Sequence, residues 1–267
     1  MEPGELVTYS EYIDGEWSCV SGKLPDEMPL ALYVNGQELV TILCTPEKLN
    51  CLVIGYLRSE GFVDSLNDFT LLRVCLPDKI AEVTLKHELP PTPPKRILTT
   101  GCGSGVSFDL GANVKPITSS LRISPDQILS SMKSMQRAPK SQSESGSVRK
   151  GLHISALSDG DKIIVQAEDI GRHNTLDKIW GECMLRKIPT EDMILLTTGR
   201  ISSEMLSKAA KMGVPVVASI NSATKRAVTV GAGLGITIVG YVRGSHLSVY
   251  SGEERVKISA LPHPREI

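Results

Sequence analysis

The sequence predicts a mixed α/β fold: a sheet flanked by helices, preceded by a smaller β-rich N-terminal subdomain. Three observations carry this expectation. From residue 151 onward, strand-like and helix-like segments alternate regularly, as in sheets that contain parallel pairs. Residues 1–90 read instead as short strands with one helix. Between these regions, "PPTPPK" (90–95) is a stiff, extended connector that cannot continue a sheet. The expected division is therefore 1–95 for the N-terminal subdomain and 96–267 for the α/β domain, within a length that suits one large domain with an appendage.

The elements follow in order. "PLALYVNGQELVTILCTP" holds two β-rich runs around Asn35-Gly36, a dipeptide favoured in type I′ hairpin turns. In "PEKLNCLVIGYLRSEG", Leu49, Leu52, Val53, Tyr56 and Leu57 recur at helical spacing, with Pro46 near the start and Gly61 just past the end. "FTLLRVCLP" and "AEVTLKHEL" read as two further strands. "RILTTGCGSG" is a strand running into a glycine-rich loop. "SPDQILSSMKSMQ" is a helix with Ser124 as N-cap and Pro125 at its first position. The polar segment 137–150 has too little apolar content to pack and is expected to be a mobile loop or lid.

Beyond it, "KIIVQAE" is a strand and "NTLDKIWGECMLRK" a helix. Leu176, Ile179, Trp180 and Cys183 form that helix's apolar stripe, leaving Lys178 and Glu182 on its solvated side. "DMILLTTG" is a buried strand, and "SSEMLSKAAKMG" a helix closed by Gly213 with an expected Glu204–Lys208 pair. "VPVVASI" is a strand, "SATKRAVTVGAGLG" a helix, and "ITIVGYVRG" and "LSVYSG" are strands.

Composition narrows the function. Lys and Arg number 29 against 30 Asp and Glu, a formal charge of −1. No global basic field argues for nucleic acid, so any anion site must be local. No apolar run approaches the ~20 residues of a membrane span, and the acidic N-terminus lacks the basic and apolar regions of a secretory signal. The six cysteines are scattered with no CxxC pair, which favours free thiols that mostly fill apolar space.

Cys102 is the exception. Gly101, Gly103 and Gly105 flank it, so its loop can approach a ligand closely and leave the thiol accessible. The incomplete glycine pattern does not match a dinucleotide fingerprint. "TTGCGSG" (99–105) is one of four loops at strand ends; the others are "EDIGRHN" (168–174), "TTGRISS" (197–203) and "GYVRGSH" (240–246). Arg172, His173 and Asn174 open a helix, where backbone N–H groups and a guanidinium together suit an anion. Asp169 as a simple helix cap is the competing reading. Arg200 and Arg243 are further phosphate-clamp candidates. Together these loops suggest one polyanionic ligand beside one nucleophilic sulfur, with no metal site, since neither H-x-E nor C-x-x-C accompanies His173.

These same motifs, with "GLHISAL", "LLTTGRISSEMLSKAAKMGVPVVASINSAT" and "GITIVGYVRG", resemble the formate dehydrogenase accessory sulfurtransferase (FdhD/NarQ) family over nearly the whole chain. The resemblance implies a cytoplasmic protein with a cytidine-deaminase-like core. It implies sulfurtransferase activity: sulfur is accepted from a cysteine desulfurase as a persulfide on the loop cysteine, here Cys102. That sulfur is passed to the molybdenum (or tungsten) bis-guanine-dinucleotide cofactor destined for formate dehydrogenase. The cofactor-binding stretch maps to Tyr241, Val242, Arg243, Gly244, Ser245 and His246. Many members carry Cys-Gly-x-Cys in the loop, whereas Cys102 is followed by Gly103, Ser104 and Gly105. A two-thiol relay within the loop is excluded, while a single-thiol route survives, because Cys102 can act as leaving thiolate. A non-catalytic chaperone for the cofactor is the alternative. A nucleoside deaminase lacks its zinc-ligand motif here. A homodimer is allowed, although sequence does not set the oligomeric state.

Overall fold

Asn35 and Gly36 both adopt positive φ (50° and 79°), the geometry that the Asn-Gly dipeptide predicts for a tight hairpin. They join β3 (Met28–Val34) to β4 (Gln37–Cys44), the middle of a five-stranded sheet. The structure, a computed structural model, describes residues 6–89, 96–98, 115–137 and 151–257. Ahead of this sheet, β1 (Leu6–Ile13) and β2 (Glu16–Lys23) form an antiparallel ribbon that joins neither of the other sheets.

In β3 the side chains alternate, and Met28, Leu30, Leu32 and Val34 are buried. They pack with Leu49, Leu52, Val53, Tyr56 and Leu57 of α1 (Leu49–Ser59), the apolar face anticipated from spacing. The sheet is completed by β5 (Phe69–Cys75), β6 (Ile80–Leu85) and β7 (Arg96–Leu98), in the order β5-β6-β3-β4-β7. Arg96–Leu98, expected to open the second domain, instead pairs in parallel with Val40–Ile42. The open edge of β4 supplies its hydrogen bonds, and a three-residue strand carries no signal of which edge it takes.

The second sheet contains β8 (His153–Ser158), β9 (Ile163–Asp169), β10 (Ile194–Thr197), β11 (Val216–Ser219), β12 (Thr237–Arg243) and β13 (His246–Ser251). Its order is β13-β12-β11-β10-β8-β9, with β10, β11 and β12 parallel and the remaining pairs antiparallel. Helices cover both faces. On one lie α3 (Arg172–Arg186), α4 (Ser203–Lys211) and α5 (Lys225–Gly233), packed on Leu195 and Val217; on the other, α2 (Pro125–Arg137) packs near Ile194, Leu196 and Val216. Burial on two faces explains why β10 and β11 are apolar on both faces up to a final buried hydroxyl residue, Thr197 and Ser219. The expected mixed α/β architecture is thus observed. Ser124 caps α2 as anticipated, accepting from the Gln127 backbone at 3.2 Å while Gln127 reaches back to the Ser124 N–H at 3.1 Å. Of the expected mobile loop, 138–150 lies outside the described residues.

The two sheets are joined through helices. A Cβ on Gly55 of α1 would stand 1.8 Å from the Asp177 carbonyl oxygen of α3, and one on Gly181 would stand 1.9 Å from that of Cys51. Gly55 meets Asp177 and Gly181 meets Cys51, so the helices run antiparallel with their backbones in contact. Two sequence expectations fail beside this crossing. Lys178 is fully buried rather than solvated. The Glu204–Lys208 pair does not form, because Lys208 binds Asp177 at 2.5 Å and Glu204 meets His173 at 3.1 Å.

Candidate anion site at the strand ends

The carboxyl ends of β9, β10, β11 and β12 lie along one edge of the six-stranded sheet, joined there by the start of β8. Three of the four loops singled out by sequence meet at this edge. The fourth, with Cys102, lies outside the described residues. The strand leading to it, β7, runs parallel to β4. The end of β4 reaches the same edge, because the Thr45 N–H donates to Asp169 Oδ2 at 3.1 Å.

Asp169 is not a helix cap. Its carboxylate pairs with Lys178 Nζ at 2.6 Å, both side chains being inaccessible to solvent. It also accepts from the Thr45 hydroxyl (3.0 Å), the Gly171 N–H (2.8 Å) and Asn174 Nδ2 (2.8 Å). Lys178 donates further to Thr45 Oγ1 at 2.7 Å and to the Glu168 carbonyl at 3.1 Å. The satisfied hydrogen bonds are what make a buried ion pair tolerable. Asn174 spends its amide on Asp169 and on the Leu43 carbonyl, the latter at 2.8 Å. It therefore clasps the N-terminal sheet to the strand-end edge.

The next pair of loops supplies polar side chains of mixed exposure. A Cβ on Gly199 would come within 3.0 Å of Arg172 Cβ and 3.5 Å of His153 Nδ1, so glycine there lets Arg172 and His153 lie against the end of β10. Burial, followed by the charges of Arg172 and His173, holds the His153 pKa below its ordinary value. His173 contacts Glu204 Oε2 at 3.1 Å and the Ser202 hydroxyl at 3.4 Å. Burial lowers its pKa although the Glu204 hydrogen bond opposes this; the same bond lowers that of Glu204. Ser202 is also the N-cap of α4, so His173 ties the starts of α3 and α4 together. Arg200 is exposed at this edge.

The last loop is built around Arg243. Its Nε donates to the Ile220 carbonyl at 2.8 Å and its Nη2 to Asn221 Oδ1 at 3.3 Å. Tyr241, in the left-handed region (φ 52°), is 45% exposed and donates its N–H to the Asn221 carbonyl at 3.1 Å. The β12–β13 register shifts between Gly240 and Arg243, a bulge that re-aims side chains. Gly240 is required because a Cβ would meet the Tyr250 ring at 2.6 Å. Val242 points into the core, so it offers a ligand only its backbone. Gly244 and Ser245 form the exposed turn, and His246, which pairs with Arg243 across it, contacts the Ser248 hydroxyl.

Sequence reasoning missed His153 and Asn221. Asn221 donates to the Thr198 carbonyl at 2.7 Å and thereby links three strand ends. Its signal was the one applied elsewhere: "SINSAT" begins at the carboxyl end of a parallel strand. Of the other cysteines, Cys44 and Cys183 are buried, and burial pushes both thiols up to about 12. Those thiols stay protonated and unreactive. Cys19, by contrast, is exposed on the ribbon.

The fold and this edge define an α/β protein with basic side chains gathered at strand ends. The family model of the FdhD/NarQ family matches residues 25–257. The sulfur carrier protein FdhD of Bacillus pumilus is 38% identical over 252 residues, covering 92% of this chain and 95% of its own. That of Staphylococcus haemolyticus is 36% identical, covering 92% and 94%. The chain belongs to the FdhD/NarQ family. A crystal structure described as that of a formate dehydrogenase accessory protein from Desulfotalea psychrophila superposes with a TM-score of 0.76 at 22% identity, covering 96% of this chain and all of the other. No helix among the described residues is long and apolar enough to cross a membrane.

Proposed function

We propose that this chain is a sulfur carrier that takes sulfur from a cysteine desulfurase as a persulfide on Cys102. It then delivers that sulfur to the molybdenum bis-guanine-dinucleotide cofactor, its cargo, for formate dehydrogenase. Membership of a family whose curated relatives are sulfur carriers supports the sulfur role. The observation that favours a polyanionic cargo is Arg243, whose exposed guanidinium is held by two neutral acceptors and by no carboxylate among the described residues. From the Asp169 corner to Arg243 the edge spans four strand spacings, roughly 19 Å at about 4.8 Å each. Arg172 and Arg200 fall between, an arrangement that suits an elongated, multiply phosphorylated ligand.

In the loading step, the Cys102 thiolate attacks the terminal sulfur of the desulfurase persulfide. One S–S bond forms as another breaks, and the desulfurase thiolate leaves. In delivery, a reduced acceptor on the cargo supplies the electron pair for its new bond to the terminal sulfur, the S–S bond breaks, and Cys102 leaves as thiolate. Incubation with a desulfurase and cysteine is expected to add the mass of one sulfur to the wild-type chain and none to Cys102→Ala, which no longer matures formate dehydrogenase. Full maturation by Cys102→Ala would replace this reading with that of a cofactor chaperone.

A further inference from the structure

We infer that Asn221 is a positioning residue that holds Arg243 outward as an unneutralised clamp for phosphate; the inference rests on the cargo site proposed above. An arginine at a strand end ordinarily either waves in solvent or pairs with a carboxylate. Arg243 does neither. Its Nε and Nη2 are engaged by the Ile220 carbonyl and Asn221 Oδ1, both uncharged, while Nη1 makes no hydrogen bond or ion pair among the described residues. The guanidinium is thus fixed along one edge, keeps its charge, and presents its other edge to solvent. A planar fork held this way loses less freedom when it grips a phosphate than a free side chain does.

The chemistry of residue 221 matches this task. Its amide nitrogen donates to the Thr198 carbonyl at 2.7 Å, so the amide oxygen must face Arg243. Its backbone is held as well: the Asn221 N–H donates to the Ser219 hydroxyl at 2.9 Å, and its carbonyl accepts from the Tyr241 N–H. Ser219 in turn donates to the Gly199 carbonyl at 2.6 Å. The position needs a donor on one side and a neutral acceptor on the other. Aspartate would lose the donor and neutralise the arginine. Alanine would free the guanidinium to move. The Asn221 side chain is taken up by the Thr198 carbonyl and Arg243, so its effect on a ligand passes through Arg243.

The test uses the full chain with GDP and GMP as probes, titrated calorimetrically, and thermal melts to verify folding. Arg243→Ala is expected to weaken GDP binding about tenfold and to erase much of the preference for GDP over GMP. Asn221→Ala should weaken GDP severalfold and shrink the same preference, and the double variant should bind GDP no worse than Arg243→Ala alone. Asn221→Asp, which keeps the shape and an acceptor, should lose GDP affinity at least as far as Asn221→Ala. Equal losses for GDP and GMP, or losses that multiply in the double variant, would show a general loosening of the edge and overturn the proposal. Wild-type GDP affinity in Asn221→Ala, with a weakened Arg243→Ala, overturns the positioning role alone. Unchanged affinity in Arg243→Ala removes the cargo site and this inference with it.

Discussion

Lys178 and Asp169 carry opposite charges 2.6 Å apart where neither side chain touches solvent. Taking both from water is costly, and the network around Thr45, Gly171 and Asn174 offsets that cost. Losing one partner is therefore worse than losing both. Lys178→Met is expected to lower unfolding free energy by about 3–5 kcal/mol, read from urea denaturation. Asp169→Asn combined with Lys178→Met should cost less than Lys178→Met alone; a larger loss in the double variant would refute the argument. Helical periodicity put Lys178 on the solvated side because it registers only the apolar stripe of its own helix. Its hydrogen-bond partner Thr45 is 133 positions away in sequence and directly follows β4 of the other sheet. Asn35-Gly36, by contrast, was legible because its turn depends on two adjacent backbones.

At the level of elements, the α1–α3 crossing depends on two glycines whose missing side chains let the helix backbones touch. Gly55→Ala or Gly181→Ala would force the methyl group into a carbonyl, and each is expected to cost at least about 2 kcal/mol. A thermal melt unchanged by either substitution would contradict the packing described. Within a helix, alanine is otherwise the better residue, so the sign of the effect separates crowding from propensity. Strand and helix identities were legible because their apolar periods are local. The sheet to which β7 belongs was not, since pairing to β4 is a tertiary choice. The strand-end pattern put Arg172, Arg200, Arg243 and Asn174 at one edge, where the structure also places them; what it did not carry is that the Asn174 side-chain nitrogen donates to Asp169 and to the Leu43 carbonyl.

Across the whole molecule, the β1–β2 ribbon stands apart. Its Leu6, Tyr12, Ile13 and Trp17 are exposed, Trp17 by 73%, and none of its apolar side chains joins the three cores. It also precedes the span matched by the family model. A chain comprising 25–267 is expected to melt within about 3 °C of the full chain, a shift of roughly 1 kcal/mol for a protein this size. A much larger drop would show that the ribbon supports the fold. The clasp between Thr45 and Asp169 has a different consequence, one of timing. It links positions 124 apart, and contacts of such separation carry a loop-closure cost that nearby pairings do not. Local hairpins such as β3–β4 and β8–β9 close cheaply, whereas this contact must wait for both ends to be in place. During folding, the corner where the two sheets meet is therefore expected to be among the last parts of the chain to be completed, which pulse-labelled hydrogen exchange would read as late protection of the Thr45 amide.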